Sequence, residues 1–354
     1  MKCIFNKYYI CVFTKLFISK KIFGVVLNIN NKIDEKRARK FFSKIGFSFL
    51  ALMFFTFFCQ FIVGALLQIF PSVISTNPNY IAIISAVTAY ILPIPFFLFL
   101  MNRFKKYDIT KKNMGVLKFI IAIIITFSLT YIGNMIGITL TSFIGGLIGS
   151  PISNPVSQMI SSIDLWVILI AVVILAPIFE EYFFRKLLID RTIKYGAVVS
   201  IIISATLFAF YHGNFNQFFY AFFIGAFFAL IYVKTGRIEY PICLHALVNF
   251  FGSVGSISLV SFIEENIPKN INQLNETELI ANIADYPGLL LSIGLSFLIV
   301  FIIILGVFLI IYYSNKIELP KGEKSVKLYS VFLNGGMLCF LGFYIVMIYF
   351  SFFR

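Results

Sequence analysis

Charged side chains are scarce in this chain: only 12% of its 354 residues are Asp, Glu, Lys or Arg, whereas 60% are hydrophobic. A soluble domain carries roughly a quarter of charged residues, so this shortage and a mean hydropathy of +0.95 exclude an ordinary globular protein. Several apolar stretches approach the ~20 residues that a helix needs to cross a bilayer. The sequence therefore predicts an all-α, polytopic membrane helix bundle with 8–9 transmembrane helices.

Familiar catalytic and cross-linking motifs are lacking as well. The five cysteines show no close pairing and no Cys-x-x-Cys spacing, which excludes a disulfide framework. There is no Gly-x-Gly-Asp motif and no helical His-Glu-x-x-His metal motif. Cys243 lies two residues before His245 but has no recognisable triad around it. Any hydrolytic chemistry must therefore come from other side chains.

The net charge of +14 comes from basic residues at the flanks of apolar segments. They form no continuous stripe with interleaved aromatic residues, so we expect no nucleic-acid partner. Basic loops of a membrane protein stay in the cytoplasm and contact anionic lipid, which predicts a cytoplasmic N-terminus. The abundance of Lys, Ile, Asn and Phe indicates an A/T-rich coding genome, and we expect a bacterial plasma membrane.

The apolar segments set the domain organisation. Residues 1–42 predict a basic amphipathic segment on the inner leaflet, with an overlong start as the alternative, and residues 43–354 predict one transmembrane bundle. Gly133 and Gly137 in the third span have the spacing of a close helix contact. The spans are expected at residues 44–70, 80–101, 117–141, 165–189, 197–211, 215–233, 240–254, 289–313 and 331–353, the fifth and seventh being short.

The fourth predicted span contains three charges, at Glu180, Glu181 and Arg185. A charge near the centre of a bilayer costs roughly 3 kcal/mol, so intramembrane charges indicate a function. Glu181 and Arg185 stand at i and i+4 on one helix face and are expected to pair. Glu180 is rotated by about 100° and lacks that partner. A free carboxylate in an apolar place is a candidate proton carrier.

The chain has only two histidines, and both follow the acidic pair. His212 shares a helix face with Phe208 near the end of the fifth span, and His245 shares one with Asn249 in the seventh. Functional sites in helix bundles are built from facing side chains. We therefore expect Glu180 and these polar groups to lie within about 10 Å of one another, around a water-filled cavity open to the cytoplasm.

These motifs resemble those of the CAAX protease and bacteriocin-processing (CPBP, or Abi) family, which includes type II CAAX prenyl endopeptidases. The resemblance covers residues 165–255, with Lys186 where Gly is frequent and Gly213-Asn214 where an apolar continuation is usual. The family pattern is E-E-x-x-x-R, F-x-x-x-H and H-x-x-x-N or D, and it occurs here in order as Glu180/Glu181/Arg185, Phe208/His212 and His245/Asn249.

The resemblance implies an intramembrane endopeptidase that acts on a CAAX-like, prenylated or leader-peptide substrate. Glu180 and His212 would activate a water, while His245 and Asn249 would stabilise the oxyanion. Arg185 with Glu181 would fix the helix, and Phe208 would orient His212. No cofactor is expected. The alternative is a zinc metalloprotease in which Glu180, His212 and His245 bind the metal.

Two other classes of protein compete with this interpretation. A transporter could use intramembrane Glu and His as a proton relay, but no inverted repeat is visible. A non-catalytic bacteriocin-immunity protein would depend on binding alone. Substrate identity, metal dependence and oligomeric state are not readable from the residues.

Overall fold

The computed structural model describes residues 32–69, 77–149, 152, 155–267, 285–320, 322 and 326–353. Within these ranges helices and their connections make up the fold, and no strand is present. Seven helices are long and apolar enough to cross a membrane: α1 (Lys32–Ile69), α2 (Pro78–Met101), α3 (Val116–Ile148), α4 (Leu165–Tyr195), α6 (Phe215–Thr235), α7 (Glu239–Glu265) and α8 (Pro287–Ser314). Two shorter apolar helices are α5 (Ala197–Tyr211) and α9 (Gly335–Ser351).

This architecture confirms the predicted all-α polytopic membrane bundle. In the described part of the chain, each predicted span coincides with one of the helices, and α5 is short as expected. Every backbone N–H and C=O in hydrocarbon needs an internal partner, and a helix supplies one. The apolar runs therefore fold as helices whatever their individual helix propensities.

Several predicted boundaries are wrong. Helix α7 is not short, because it continues to Glu265 rather than ending near residue 254. Helix α9 begins at Gly335, after a separate short helix at Leu328–Phe332. A further short helix at Pro155–Ser161 lies in the predicted loop before α4. Helix α1 begins at Lys32 rather than near residue 44, while residues 1–31 lie outside the described ranges. The division of the chain at residues 42–43 stays a prediction.

Helices α4 and α6 form the centre of the bundle. In each of them 56% of the most apolar window is buried, compared with 6% in α8 at the periphery. Helix α3 packs against α6 and α8, α5 packs against α6, and α1 packs against α9. The core between them is rich in fully buried phenylalanines: Phe42, Phe49, Phe97, Phe183, Phe184, Phe208, Phe228 and Phe340.

The contact between α3 and α6 depends on two glycines. A Cβ placed on Gly133 would lie 2.3 Å from the Tyr220 Cα, and one on Gly137 would lie 2.9 Å from the Asn216 carbonyl oxygen. Only a residue without a side chain permits backbones to approach this closely. The close contact predicted from the Gly133 and Gly137 spacing is therefore confirmed.

A buried group of polar side chains joins one end of α4 to α6. Asp190 is fully buried and forms a 2.8 Å salt bridge with Lys186, while Tyr232 of α6 donates to its other oxygen at 2.6 Å. We call these three residues the Asp190 cluster. Lys186 also donates to the Tyr232 hydroxyl at 3.1 Å, so every charge in the cluster has a partner.

Helices α2 and α4 each contain a wide π turn that ends two residues before a proline. In α2 the π turn spans Val87–Ile91 and precedes Pro93, and in α4 it spans Ile168–Leu175 and precedes Pro177. A proline has no N–H to donate, so the carbonyl one turn earlier needs another partner. A π turn changes which side chains face the bundle, and such turns are frequent at functional sites.

Candidate active site

Glu181 and Arg185 form a two-contact ion pair inside α4. Arg185 Nε lies 2.8 Å from Glu181 Oε2, and Nη2 donates to Oε1 at 3.2 Å. Both side chains are 0% exposed. Arg185 also donates to Ser204 Oγ of α5 at 3.1 Å, and its guanidinium lies 4.6 Å from the centre of the Phe208 ring. The predicted pairing is confirmed, and it neutralises one of the two buried carboxylates.

Glu180 does not pair with Arg185, as its rotation on the helix predicted, but it has a partner that sequence reasoning missed. The Tyr90 hydroxyl of α2 donates to Glu180 Oε1 at 2.7 Å. Glu180 itself is only 6% exposed. The sequence signal that could have identified Tyr90 is its polar hydroxyl in an apolar span that contains prolines.

His245 lies between the two carboxylates. Its Nδ1 is 3.0 Å from Glu181 Oε1, and its Nε2 is 3.8 Å from Glu180 Oε2. Because the ionised Glu181 can only accept a hydrogen bond, Nδ1 of His245 carries a proton. Glu181 therefore does more than fix the helix: it orients the His245 ring so that Nε2 faces Glu180.

His212 is anchored in the same way by a different acceptor. Its Nδ1 lies 2.8 Å from the Phe208 carbonyl oxygen, which cannot donate, so Nδ1 carries the proton and Nε2 is the nitrogen without one in the neutral ring. The Phe208 ring contacts both imidazoles edge-on, at 4.8 Å from the His212 ring and 5.7 Å from the His245 ring. His212 also interacts electrostatically with Glu180 and His245.

The turn after His212 explains the unusual Gly213-Asn214 sequence. Gly213 has φ of +63°, a left-handed conformation that favours glycine. Asn214 then caps α6 by accepting from the Gln217 N–H at 2.9 Å, and it donates to the His212 carbonyl at 2.9 Å. This tight turn joins α5 to α6 and fixes the backbone of His212.

Asn249, which was expected to stabilise the oxyanion, forms a hydrogen bond to the backbone of α4. Its Nδ2 donates to the Val172 carbonyl at 2.8 Å. Val172 lies five residues before Pro177, inside the π segment Ile168–Leu175 of α4, where the missing proline N–H leaves a carbonyl without a helical donor. Asn249 therefore ties α7 to α4 beside the acidic pair, and one of its two amide hydrogens is used there.

The metal alternative fits this geometry poorly. Among the residues that the structure describes, no three His, Cys, Asp or Glu side chains are grouped to hold a metal ion. Zinc needs its ligands at ~2.0–2.2 Å from one point. Tyr90 occupies one oxygen of Glu180, and the alternative zinc site of Glu180, His212 and His245 stays a prediction. The expectation of no cofactor stays a prediction.

An apolar cleft of about 370 Å³ opens beside the site. Phe179 and Tyr182, on either side of the acidic pair in α4, line it together with residues of α2 and α7. Neither Glu180 nor the histidines line this cleft, so the predicted water-filled cavity at Glu180 stays a prediction.

Fold and site together define a multi-pass membrane protein with an acid–base centre buried between its helices. In the comparison with known proteins, the family model for type II CAAX prenyl endopeptidases, Rce1-like, matches residues 162–251, the segment that contains this centre. A membrane-embedded CAAX protease, MroQ, of Staphylococcus aureus (strain USA300) is 38% identical over 85 residues, which are 22% of this chain and 34% of that protein. No solved structure matches the chain.

The segment that the family model matches contains Glu180, His212, His245 and Asn249, and this match confirms the resemblance to the CPBP family for this part of the chain. The chain spans about a third of the length of its curated relative. Helix α2, which supplies Tyr90, lies outside the segment that the family model matches.

Proposed function

We propose that the protein is an intramembrane endopeptidase of the CPBP type that hydrolyses a peptide bond with a water activated by Glu180 and His212. The observation that carries the proposal is the 3.8 Å approach of Glu180 Oε2 to His245 Nε2 in a site almost closed to solvent. Peptide hydrolysis needs a proton acceptor for the water and donors for the oxyanion. Both kinds of group are present among these side chains.

The water would be activated by two acceptors. Glu180 Oε2 is the carboxylate oxygen that Tyr90 leaves free, and His212 presents Nε2 without a proton when the ring is neutral. Glu180 takes the proton of the water as its oxygen attacks the carbonyl carbon. The protonated Glu180 then gives that proton to the leaving amine as the peptide bond breaks.

The oxyanion would be stabilised mainly by His245. Glu181 accepts from Nδ1 and holds the ring in place, and the doubly protonated ring would donate its Nε2–H to the developing negative charge. Asn249 contributes its second amide hydrogen, since the first is bonded to Val172. The Glu181–Arg185 pair holds this arrangement in place.

The substrate class follows from the relatives. The comparisons name CAAX prenyl endopeptidases, so we propose a membrane-associated peptide or prenylated protein with a CAAX-like end, with a leader peptide as the second candidate. Basic loops between the spans favour a cytoplasmic N-terminus in a bacterial plasma membrane.

The test is proteolysis by the purified protein in detergent, with a quenched fluorescent peptide carrying a farnesylated CAAX end and with a leader-peptide precursor. We expect Glu180→Gln to lower kcat by about 100-fold or more, the usual contribution of a general base. Glu239→Gln is the matched control, because Glu239 is an exposed acid at the start of α7. Full activity of Glu180→Gln would overturn the proposal.

A chelator distinguishes the two hydrolytic mechanisms. Activity that survives the chelator and is lost in Glu180→Gln supports the metal-free mechanism. Activity that the chelator abolishes and zinc restores would replace it with the metalloprotease.

A further inference from the structure

Tyr90 approaches the site from a part of the chain that none of the site motifs includes. It lies in α2, and its hydroxyl reaches Glu180 Oε1 at 2.7 Å. Its ring lies parallel to that of Phe179, with 5.8 Å between the centres and 11° between the planes. Tyr90 therefore contacts two consecutive residues of α4, one through its ring and one through its hydroxyl.

The local structure of α2 holds Tyr90 in this position. The residue lies in the π turn Val87–Ile91, where the Leu92 N–H bonds to the Val87 carbonyl at 3.0 Å. Thr88, in the same turn, bonds to two carbonyls of the preceding turn and is buried. π turns and prolines are common causes of a local bend in a helix, and Tyr90 lies where α2 contains both.

The consequence for Glu180 is an asymmetry between its two oxygens. Oε1 accepts the Tyr90 hydroxyl, while Oε2 faces His245 Nε2 at 3.8 Å. A carboxylate with one oxygen tied by a hydrogen bond has lost its freedom to rotate, so the remaining oxygen keeps a fixed direction. Hydrogen bonds to a charged group are about twice as strong as neutral ones.

We propose that Tyr90 is a positioning residue that ties Glu180 Oε1 and so selects Oε2 as the proton-accepting oxygen. This inference rests on the proposed function, because it concerns how Glu180 meets the water. Tyr90 touches no reacting atom. It acts through the carboxylate that does.

The experiment compares Tyr90→Phe with wild type, using the farnesylated CAAX peptide or the leader-peptide precursor, whichever the wild type cleaves. The substitution removes the hydroxyl and keeps the ring on Phe179. We expect kcat to fall by about 10- to 100-fold, the effect of losing a hydrogen bond to a charged group, with KM within about twofold. The melting temperature in detergent should change little, since the ring contact remains.

Tyr80→Phe is the matched control, because Tyr80 is in the same helix and is 44% exposed. It should keep wild-type kcat and KM. A wild-type kcat for Tyr90→Phe overturns the inference, as does a loss of folded protein or a rise in KM alone, since either would make the hydroxyl a packing or binding group. Glu180→Gln, assayed beside it, separates the two proposals. If Glu180→Gln is inactive and Tyr90→Phe is fully active, the proposed role of Tyr90 is wrong and the proposed peptidase mechanism stands. If Glu180→Gln is active, both proposals are wrong.

Discussion

The buried ion pair of α4 gives a stability prediction that the structure makes quantitative. Glu181 and Arg185 are both 0% exposed and make two contacts with each other. Removing one partner leaves the other charge buried without compensation, which costs roughly 3–5 kcal/mol. Glu181→Gln and Arg185→Met should therefore each lower the free energy of unfolding by about that amount.

The double variant should be more stable than either single variant. With both charges removed, Gln and Met fill a similar volume. Replacing a buried ion pair by uncharged side chains often changes the free energy of unfolding little. The coupling between the two positions, from a double-mutant cycle on unfolding in detergent micelles, should then be about 3 kcal/mol or more. Additive losses would refute the reasoning, because they would mean that the two charges do not compensate each other.

Activity should not recover with stability in the same double variant. Glu181 Oε1 also accepts from His245 Nδ1, and a neutral Gln accepts that hydrogen bond more weakly than a carboxylate, so it holds the imidazole less firmly. We therefore expect kcat to stay about 10-fold or more below wild type even where the protein is as stable as wild type. A double variant with both properties restored would show that Glu181 serves the fold alone.

Three further substitutions test other contacts. Gly133→Ala should lower the unfolding free energy by roughly 1–3 kcal/mol, because the new Cβ would overlap the backbone of α6. Gly146 has open space around it, so Gly146→Ala should leave the unfolding free energy unchanged. Melting curves of the two variants test this difference. Asn249→Ala should cost about 1–3 kcal/mol, since it leaves the Val172 carbonyl unpaired, and should also lower kcat; equal stability would contradict the tie. Asp190→Asn should destabilise by roughly 3 kcal/mol because it breaks the Asp190 cluster around a buried carboxylate, and wild-type melting would refute that.

The spans were predictable because hydropathy alone decides which segments enter the bilayer, and helices are the form that satisfies their backbones. Helix ends were harder. Helix α7 was expected to end near residue 254, yet the chain continues through a π turn at Phe251–Gly255 into a further helix to Glu265. Glycine is tolerated inside membrane helices when local π adjustments satisfy the backbone. Helix α1 begins early because charged residues at its start are helical too, and hydropathy does not register them.

The site was predictable where partners are close in sequence. The i, i+4 spacing identified the Glu181–Arg185 pair, because the helix period alone brings those residues together. Tyr90 is 90 residues from Glu180, and its approach depends on how α2 packs, which no local pattern encodes. The hydrogen-bond partner of Asn249 had a weak sequence signal in Pro177. A proline in a buried helix lacks an N–H, so a preceding carbonyl needs a donor from elsewhere.

The two imidazoles share one principle of construction that explains why the site needs several helices. Each ring is anchored through Nδ1 to an acceptor whose position is already fixed, the Phe208 carbonyl for His212 and the paired Glu181 carboxylate for His245. Each ring therefore presents Nε2, and the protonation of that atom can change without moving the ring. The ion pair with Arg185 offsets the charge of Glu181, while Glu180 faces the Nε2 of His245 at 3.8 Å. In the hydrolysis proposed above, Glu181 would fix the geometry and Glu180 would change charge.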